Sequence, residues 1–461
     1  MHQLPGSDSV FLAMETGDVY GHTGGLSILD PSDAPGFDFE RLVSFTAERL
    51  TLAPRFSWKL REVPFGLDRP YWMEDPDFDP RNHFRRIAVP APGGLRELAE
   101  LVGYLFSQPL DRRRPLWEIW FIEGVADGRV ALFMKVHHCL MDGVSGAGLG
   151  ELLCDLDPTP QPIEPPERSE VEQGPGSGPS EWQLMLRTAG FLARAPMRWA
   201  GLSRQFLRQG AAMLAAAVDP DGPPLPFQVQ ALSFNGEIGP DRGFASASVS
   251  LDEVKQVKKH FDVTVNDVLL ALTGSALRRW LDARGELPGK PLVAVVPVST
   301  RAEGDSELGN QVSGIAVSWA TDVEDPVERL LCIHRNVASS KGRESASLVD
   351  TLPALGDYLA PAMLQMFVRL SSSSAPLPGN VVVSTIRATP VPLYTAGARL
   401  ESMYPMSLLA PGQGLNVTAV SYMGKVDFGL TFDPELVPAP WELADGISLA
   451  LEELLEQTRS D

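Results

Sequence analysis

The sequence predicts an α/β protein that consists of two lobes joined by a long connector. Short apolar runs typical of strands alternate with segments of helical spacing in both halves of the 461-residue chain. Between the halves, residues 156–180 contain seven prolines and almost no large apolar side chains, so they cannot form a core. We therefore predict an N-terminal lobe at residues 1–155, a connector at 156–232 and a C-terminal lobe at 233–461.

The first lobe contains a predicted strand that is followed directly by the residues HHCLMDG at 137–143. Residues 129–136 (RVALFMKV) are mainly β-branched or apolar and fit a half-buried strand. Small residues follow, and GLGELLCDL at 148–156 then has helical spacing. A strand that is followed at once by a helix places the intervening residues at the edge of a sheet.

The connector contains a segment of unusual charge. Residues 182–218 have a helical pattern with an internal Pro196, and their five charged residues are all arginine. A basic apolar helix in an acidic protein is typical of an element that lies on a membrane surface. A linker helix packed between the lobes, with its arginines reaching acidic neighbours, would show the same pattern, so both interpretations remain open.

The second lobe is predicted to begin with two helices. Ser250 and Glu253 have the spacing of a capping box for a helix through His260, and apolar residues recur at helical spacing from Val265 to Trp280. The unbroken apolar run LVAVVPV at 292–298 is typical of a strand buried on both faces. Further strands are predicted at 315–319, 381–386, 415–422 and 425–431.

Composition excludes several classes of protein. The chain has 59 acidic and 39 basic side chains, a formal charge of −20, so it repels nucleic acid and we predict no nucleic-acid partner. Its three cysteines form no C-x-x-C pair, which favours a reducing cytoplasm over a disulfide or zinc framework. Residues 1–18 lack a basic segment, and no uncharged apolar run approaches about 18 residues, so any membrane contact is expected to be peripheral.

The motif His137-His138-x-x-x-Asp142-Gly143 carries the chemistry. It lies where the strand at 129–136 ends, a place where side chains are held rigidly beside a cleft. Because neighbouring strand residues point in opposite directions, at most one of the two histidines faces a given cleft, and the other is expected to pack or to stabilise the turn. An imidazole in such a cleft can take a proton from an alcohol, a step worth roughly 10²–10⁴ in rate.

Residues of this motif could also have structural or different chemical roles. Asp142 could cap the following helix, and Gly143 could supply a tight turn. A metal site has no identifiable third ligand, so we predict none. Cys139 is a weak candidate for a nucleophile, because no third group that would orient it is evident.

The motif resembles that of the CoA-dependent acyltransferase superfamily, which is shared with condensation domains of peptide synthetases. Further landmarks resemble, in the expected order, the bacterial wax ester synthase/acyl-CoA:diacylglycerol acyltransferase family. They are PLWE at 115–118, ND at 266–267, PVSTR at 297–301, GN at 309–310, and a tail running from LNV at 415–417 to DFG at 427–429. The resemblance extends from Leu4 to near Leu455.

This resemblance implies two chloramphenicol-acetyltransferase-like lobes, built of mixed sheets flanked by helices, with an active-site tunnel between them. It implies transfer of a long-chain acyl group from the co-substrate acyl-CoA to diacylglycerol or a long-chain alcohol. His138 would be the general base and His137 its support, without an acyl-enzyme and without a permanently bound cofactor. The location implied is the cytoplasmic face of a membrane or a lipid inclusion.

Several other residues receive expected roles. Asp142 is expected to shape its loop by pairing with Arg301, and Asn266 is either a helix cap or a hydrogen-bond donor to the developing oxyanion. The basic run Arg112, Arg113 and Arg114 is either a cationic lip for the phosphates of CoA or a solvated turn.

The remaining landmarks are expected to be structural. Trp117 should lie in the core, and DFG at 427–429 should form a strand turn that supports the interface of the lobes. The other histidines have no catalytic setting and are expected to be surface or core residues: His2, His22, His83, His260 and His334.

One segment departs from the family pattern. The family carries S-N-V-P-G-P after an apolar strand of the second lobe, whereas here VVV at 381–383 is followed by STIRATP at 384–390. Loss of the Pro-Gly turn changes the local backbone freedom and therefore the expected shape of the acceptor channel. Two other functions stay open: a condensation enzyme that uses carrier-bound substrates, and a non-catalytic lipid-binding relative.

Overall fold

The computed structural model describes residues 2–140, 153–161, 163, 181–193, 203–204, 229–299, 312–341, 355–374 and 379–460. The described strands are β1 His2–Gln3, β2 His22–Asp30, β3 Trp58–Arg61, β4 Tyr71–Glu74, β5 Phe84–Ala88, β6 Trp117–Glu123, β7 Val130–His137, β8 Gly243–Ser250, β9 Val293–Ser299, β10 Val312–Ser318, β11 Val381–Arg387, β12 Tyr394–Thr395, β13 Ala398–Met406, β14 Leu415–Tyr422 and β15 Lys425–Phe432. The described helices are α1 Gly6–Met14, α2 Phe39–Arg49, α3 Leu95–Phe106, α4 Glu181–Ala193, α5 Leu251–Phe261, α6 Val265–Asp282, α7 Pro326–Lys341, α8 Pro361–Ser374 and α9 Pro440–Ser460.

Two mixed six-stranded sheets form the framework of the protein. The first has the order β12-β13-β2-β7-β6-β5, and the second has the order β10-β9-β11-β14-β15-β8. Helices pack on both, so the α/β class predicted from the sequence is confirmed. The strands predicted at 415–422 and 425–431 match β14 and β15 within one residue, because alternation and apolar runs are local properties of the sequence.

The sheets do not follow the order of the chain. Strands β12 and β13 come from the second half, yet β13 pairs with β2 of the first sheet in an antiparallel ladder that joins Arg399 to Asp30 and Met406 to Gly24. Part of the segment that we assigned to a C-terminal lobe, residues 394–406, therefore completes the first sheet. This exchange ties the two halves together by backbone hydrogen bonds.

Helix α6 lies at the centre of the larger hydrophobic core. Thr264 caps its first turn by accepting a hydrogen bond from the Asp267 N–H, and the Asp267 carboxylate in turn accepts one from the Thr264 N–H. Leu270, Leu272 and Leu281 are fully buried within the core that α6 shares with the second sheet and α9. Because α6 is packed in this core, its N-terminal turn, which contains Asn266, is held in a fixed position.

The expectation that DFG at 427–429 forms a strand turn is wrong. These residues lie in the middle of β15, where Asp427, Phe428 and Gly429 pair with residues of both β14 and β8. A Cβ atom on Gly429 would lie 1.8 Å from the carbonyl oxygen of Pro405, so glycine is required for β13 to approach β15. The Asp427 carboxylate accepts a hydrogen bond from the Met403 N–H at 3.0 Å, which holds β13 against the second sheet.

Part of the basic connector is described as α4. Leu184 packs with Val63 and Tyr71 of the first half, so this helix rests on the body of the protein. Residues 194–202 and 205–218 of the predicted helical segment lie outside the described residues. None of the helices in the described ranges combines the length and the apolar composition needed to cross a bilayer.

Candidate active site

The two histidines of the motif lie at the end of β7 in different environments. His137 is the last residue of the strand and is 1% exposed, whereas His138 opens the short 3-10 turn His138–Leu140 and keeps part of its surface accessible. The chain leaves the strand between the two histidines, so the two residues have different environments. His137 is fully buried, whereas His138 as a residue retains some exposure.

The buried ring of His137 is held by two contacts in one tautomer. Its Nδ1 accepts a hydrogen bond from the Cys139 N–H at 3.2 Å, so the ring proton resides on Nε2. That Nε2 lies 3.2 Å from Oε1 of Glu15. His137 therefore stabilises the turn that positions its neighbour, and a carboxylate fixes its orientation.

Glu15 links this histidine to the surrounding backbone. Its Oε1 accepts a hydrogen bond from the Gly21 N–H at 3.0 Å, and its Oε2 accepts one from Nε of Arg112 at 2.9 Å. Burial raises the pKa of this carboxyl, but the contact with His137, together with Arg112 and the Gly21 N–H, outweighs it and lowers the pKa to about 2. Glu15 is thus an ionised anchor at every physiological pH. Glu15 was not predicted from the sequence.

Gly21 is required for the close approach of these groups. A Cβ atom at this position would lie 2.5 Å from Nε2 of His137 and 2.8 Å from the carbonyl oxygen of Phe11. The carbonyl oxygen of Gly21 also accepts a hydrogen bond from the His138 N–H at 2.8 Å. The backbone at Gly21 therefore contacts both members of the histidine pair.

The ring of His138 stacks on Phe11 of α1, with centroids 4.0 Å apart and planes inclined by 19°. Burial of the ring, with a smaller effect from the adjacent His137, lowers the pKa of His138 from 6.5 to about 4. The imidazole is therefore neutral at pH 7 and able to accept a proton. Its Nδ1 is buried.

We expect the pH dependence of kcat/KM to reflect this lowered pKa. Activity should remain constant from pH 8 down to about pH 5.5 and fall only as the pH approaches 4, because protonation of His138 removes the base. The folded state binds fewer protons than the unfolded chain between pH 6.5 and about 4, so stability also falls in that window. Near-UV circular dichroism at each pH separates the two effects. A decline in kcat/KM centred near pH 6.5 in folded protein would contradict this assignment.

Asn266 lies in the first turn of α6, next to the end of β11. Its Oδ1 accepts a hydrogen bond from the Thr385 hydroxyl at 2.9 Å, which leaves Nδ2 as the donor group of the amide. Its neighbour Asp267 is buried and lies 2.7 Å from Nδ1 of His334 on α7. The helix cap itself is Thr264, so Asn266 is not the cap that one of our two interpretations required.

Thr385 belongs to the segment that departs from the family pattern. Ser384 to Arg387 continue β11 and pair in parallel with β14, whereas β11 pairs with β9 only through Val381 and Val382. The altered segment is therefore an extended strand at the point where β9 and β11 separate. In this segment Thr385 supplies the partner of Asn266.

The basic run at 112–114 is surrounded by acidic groups. Arg112 binds Glu15 and also lies 3.4 Å from Glu62, and Arg113 forms two hydrogen bonds with Asp111. Arg114 lines a cavity of about 220 Å³ together with His83 and Trp117. Arg112 is thus part of the histidine anchor, and the binding of CoA by this run stays a prediction.

The other expected site residues fall into two groups. Asp142, Gly143 and Arg301 lie outside the described residues. Trp117 is buried and donates from Nε1 to the Phe56 carbonyl. The remaining histidines lie on the surface or in the core, His22 and His83 being the buried ones and His334 the partner of Asp267. No described group of three His, Cys, Asp or Glu side chains is arranged to hold a metal ion.

Two mixed sheets joined by an exchanged strand, with a neutral imidazole at the end of a central strand, define a two-lobed acyltransferase. The sequence matches the wax ester synthase/diacylglycerol acyltransferase catalytic domain over residues 4–269 and the C-terminal domain of the same family over residues 308–455. The chain belongs to the wax ester synthase/diacylglycerol acyltransferase family.

Individual relatives agree with this assignment. Rv1760 of Mycobacterium tuberculosis, provisionally named a diacylglycerol O-acyltransferase, is 37% identical to this chain. The alignment covers 99% of this chain and 90% of the relative. The wax ester synthase/diacylglycerol acyltransferase from Marinobacter aquaeolei VT8 superposes with a TM-score of 0.68 at 29% identity, over 99% of both chains. The first condensation domain of the CDA synthetase superposes with a TM-score of 0.57 at 15% identity, over 99% of this chain and 96% of that domain. At this identity the similarity shows the fold alone.

Proposed function

We propose that this protein transfers a long-chain acyl group from acyl-CoA to the hydroxyl of diacylglycerol or a long-chain alcohol, giving triacylglycerol or wax ester. The neutral ring of His138, which directly follows β7 and stacks on Phe11, carries the proposal. Membership of the family and the names of the relatives support the choice of substrates. The alternatives of a carrier-dependent condensation enzyme and a non-catalytic relative are not favoured by these comparisons.

His138 acts in the reaction as a general base and then as a general acid. As the acceptor oxygen attacks the thioester carbonyl, Nε2 takes the hydroxyl proton. The tetrahedral oxyanion then collapses, the carbon–sulfur bond breaks, and the imidazolium returns the proton to the departing thiolate. The products are the ester and free CoA, so neither an acyl-enzyme nor a bound cofactor is needed.

Asn266 stabilises the oxyanion in this proposal. Thr385 occupies Oδ1, so the amide presents Nδ2–H as a donor. A donor of this kind is worth roughly 10²–10³ in rate when it is aimed at the developing charge. Arg112, Arg113 and Arg114 are the candidates for contacts with the phosphates of CoA, and the protein works at the cytoplasmic face of a membrane or lipid inclusion.

A panel of acceptors tests the proposed function. Purified protein is mixed with palmitoyl-CoA and hexadecanol, dioleoylglycerol or a short alcohol, thiol release is followed, and products are identified by thin-layer chromatography. We expect thiol release and ester formation with at least one long-chain acceptor. Absence of both products with all lipid acceptors, in protein shown to be folded, would contradict the proposal.

A further inference from the structure

A cavity of about 220 Å³ lies at one edge of the first sheet, and we call it the arginine cavity. Pockets that bury a whole drug-sized ligand are typically about 300–1,000 Å³, so this cavity suits one polar part of a larger ligand. The lining includes His83, Arg85, Asp111, Arg114, Trp117 and Glu118.

The arginine cavity lies at the same end of the first sheet as the histidine pair. His83 directly precedes β5, Trp117 begins β6, and β6 lies between β5 and β7. The His137 N–H donates to the Leu116 carbonyl at 2.9 Å, so the start of β6 is bound to the end of β7. Because neighbouring strands are about 4.8 Å apart, the β5 wall of the cavity lies roughly 10 Å from β7.

Two arginines of the cavity keep donors for a ligand. Arg85 donates from Nη1 to the carbonyls of Asn82 and Phe84, and it pairs with no carboxylate in the described part of the chain. Arg114 makes only a long contact with Asp111, at 3.9 Å, among the described carboxylates. Both guanidinium groups can therefore donate to an anionic ligand.

The two carboxylates of the cavity are already bound by other cations. Arg113 donates to both oxygens of Asp111, each at 2.9 Å. Nζ of Lys135 lies 2.6 Å from Oε1 of Glu118. The two arginines described above thus remain as a local excess of positive charge, in a chain whose formal charge is −20. This excess is complementary to a phosphate, which guanidinium groups bind with good geometry.

His83 adds a hydrogen-bond acceptor to the cavity. The residue is 4% exposed, and its Nδ1 donates to the Trp117 carbonyl at 2.8 Å. Burial lowers the pKa of His83 below 6.5, so the ring is neutral at pH 7 and Nε2 carries a lone pair. That nitrogen forms no hydrogen bond with any residue that the structure describes. A buried ring with an unused acceptor fits a ligand that brings a hydroxyl group.

We propose that the arginine cavity binds the ribose 3′-phosphate of the acyl-CoA co-substrate. The phosphate contacts Arg85 and Arg114, and the neighbouring ribose 2′-hydroxyl donates to Nε2 of His83. A free phosphate ion would satisfy the arginines equally well, but it lacks the ribose hydroxyl that the histidine accepts. The combination of two cations with one neutral acceptor therefore favours the nucleotide over the free ion.

This assignment rests on the proposed function, which makes acyl-CoA the donor. It narrows the predicted contact of the basic run at 112–114 to Arg114, because Arg112 and Arg113 are already paired with Glu15 and Asp111. The pantetheine arm then spans the distance from the cavity to the thioester beside His138.

Kinetics with truncated acyl donors test the proposal. The double variant Arg85→Met/Arg114→Met is compared with the control Arg81→Met/Arg86→Met. The control removes the same charge from neighbouring positions, but its arginines are more than half exposed and form ion pairs outside the cavity. The donors are palmitoyl-CoA, palmitoyl-dephospho-CoA, which lacks only the 3′-phosphate, and palmitoyl-pantetheine, which lacks the nucleotide and every phosphate.

We expect the KM for palmitoyl-CoA to rise about 10–100-fold in the first double variant, with kcat unchanged, and to stay at the wild-type value in the control. The KM of the wild type for palmitoyl-dephospho-CoA should rise by a similar factor. The first variant should show no further rise with that donor, because residue and phosphate form one contact. With palmitoyl-pantetheine all three proteins should have the same KM.

Equal KM values of the wild type for palmitoyl-CoA and palmitoyl-dephospho-CoA would overturn the proposal, and this comparison requires no variant to fold. An equal rise of KM in both double variants would do the same, since it would reflect charge at a distance.

Calorimetric titration with adenosine 3′,5′-bisphosphate and with inorganic phosphate measures binding without turnover. The wild type should bind the nucleotide more tightly than inorganic phosphate, and the first double variant should lose this binding. Equal binding of the two ligands would identify a free-phosphate site and overturn the proposal. If the nucleotide binds as expected but no acyl group is transferred, the cavity assignment stands and the proposed function fails. If acyl transfer proceeds with an unchanged KM in the first variant, only the cavity assignment fails.

Discussion

Replacing His138 with alanine is expected to lower kcat by about 10²–10⁴, the usual contribution of a positioned general base. The other histidine at the end of β7, His137, is buried against Glu15 and does not take this role. The lowered pKa of His138 keeps it in the base form at pH 7, so its removal deletes the only proton acceptor in the proposed mechanism.

The fold is expected to survive this substitution. The residue is not fully buried, and its stacking on Phe11 contributes on the order of 1 kcal/mol. Thermal unfolding should therefore show a small shift only. The control His260→Ala removes an exposed histidine from α5 and should keep wild-type activity. Wild-type turnover in His138→Ala would remove the basis of the mechanism.

Replacing Gly21 with alanine is expected to have the second-largest effect, a loss in kcat of about 100-fold. The added Cβ would lie 2.5 Å from Nε2 of His137 and 2.8 Å from the Phe11 carbonyl oxygen, distances that the chain must relieve by moving. Any movement displaces the carbonyl that binds the His138 N–H or the helix that carries Phe11. A displacement of about 1 Å is sufficient for a loss of this size.

Gly25 provides the matched control for Gly21. It lies four residues along, in β2, and a Cβ atom there meets nothing within 4 Å. Gly25→Ala should therefore keep kcat, whereas Gly21→Ala should lose it while the far-UV circular dichroism of both remains that of the wild type. A Gly21→Ala protein with kcat within about twofold of wild type would show that the histidine pair tolerates displacement.

The sequence predicted the local elements well and the pairing between them poorly. Strand β14 and helix α6 were predicted because alternation and helical spacing are carried by neighbouring residues. The exchange of β13 was not predicted, because its ladder joins Arg399 to Asp30, residues that are remote in sequence. DFG at 427–429 was wrongly predicted as a turn for the same reason. Gly429 is needed because β13 packs closely against β15, and that contact is not visible in the local sequence.

The candidate site was predicted in part. The two histidines could be found because their motif follows a strand, and alternation predicted that at most one of them faces a given cleft. Glu15, Gly21 and Phe11 could not be placed, because they contact the motif only once α1 folds back over the end of β7. The one local signal was an acidic residue at the end of the apolar run VFLAM.

Single-turnover thiol release tests the central claim most directly. Enzyme in excess is mixed rapidly with palmitoyl-CoA, with and without the acceptor that performs best in the panel, for wild type and His138→Ala. The account predicts rapid release of free CoA in wild type only when the acceptor is present, and slow release in the variant. Rapid release of CoA equal to the palmitoyl-CoA added, without any acceptor, or a rapid acceptor-dependent phase in His138→Ala, would contradict direct attack by a hydroxyl that His138 deprotonates.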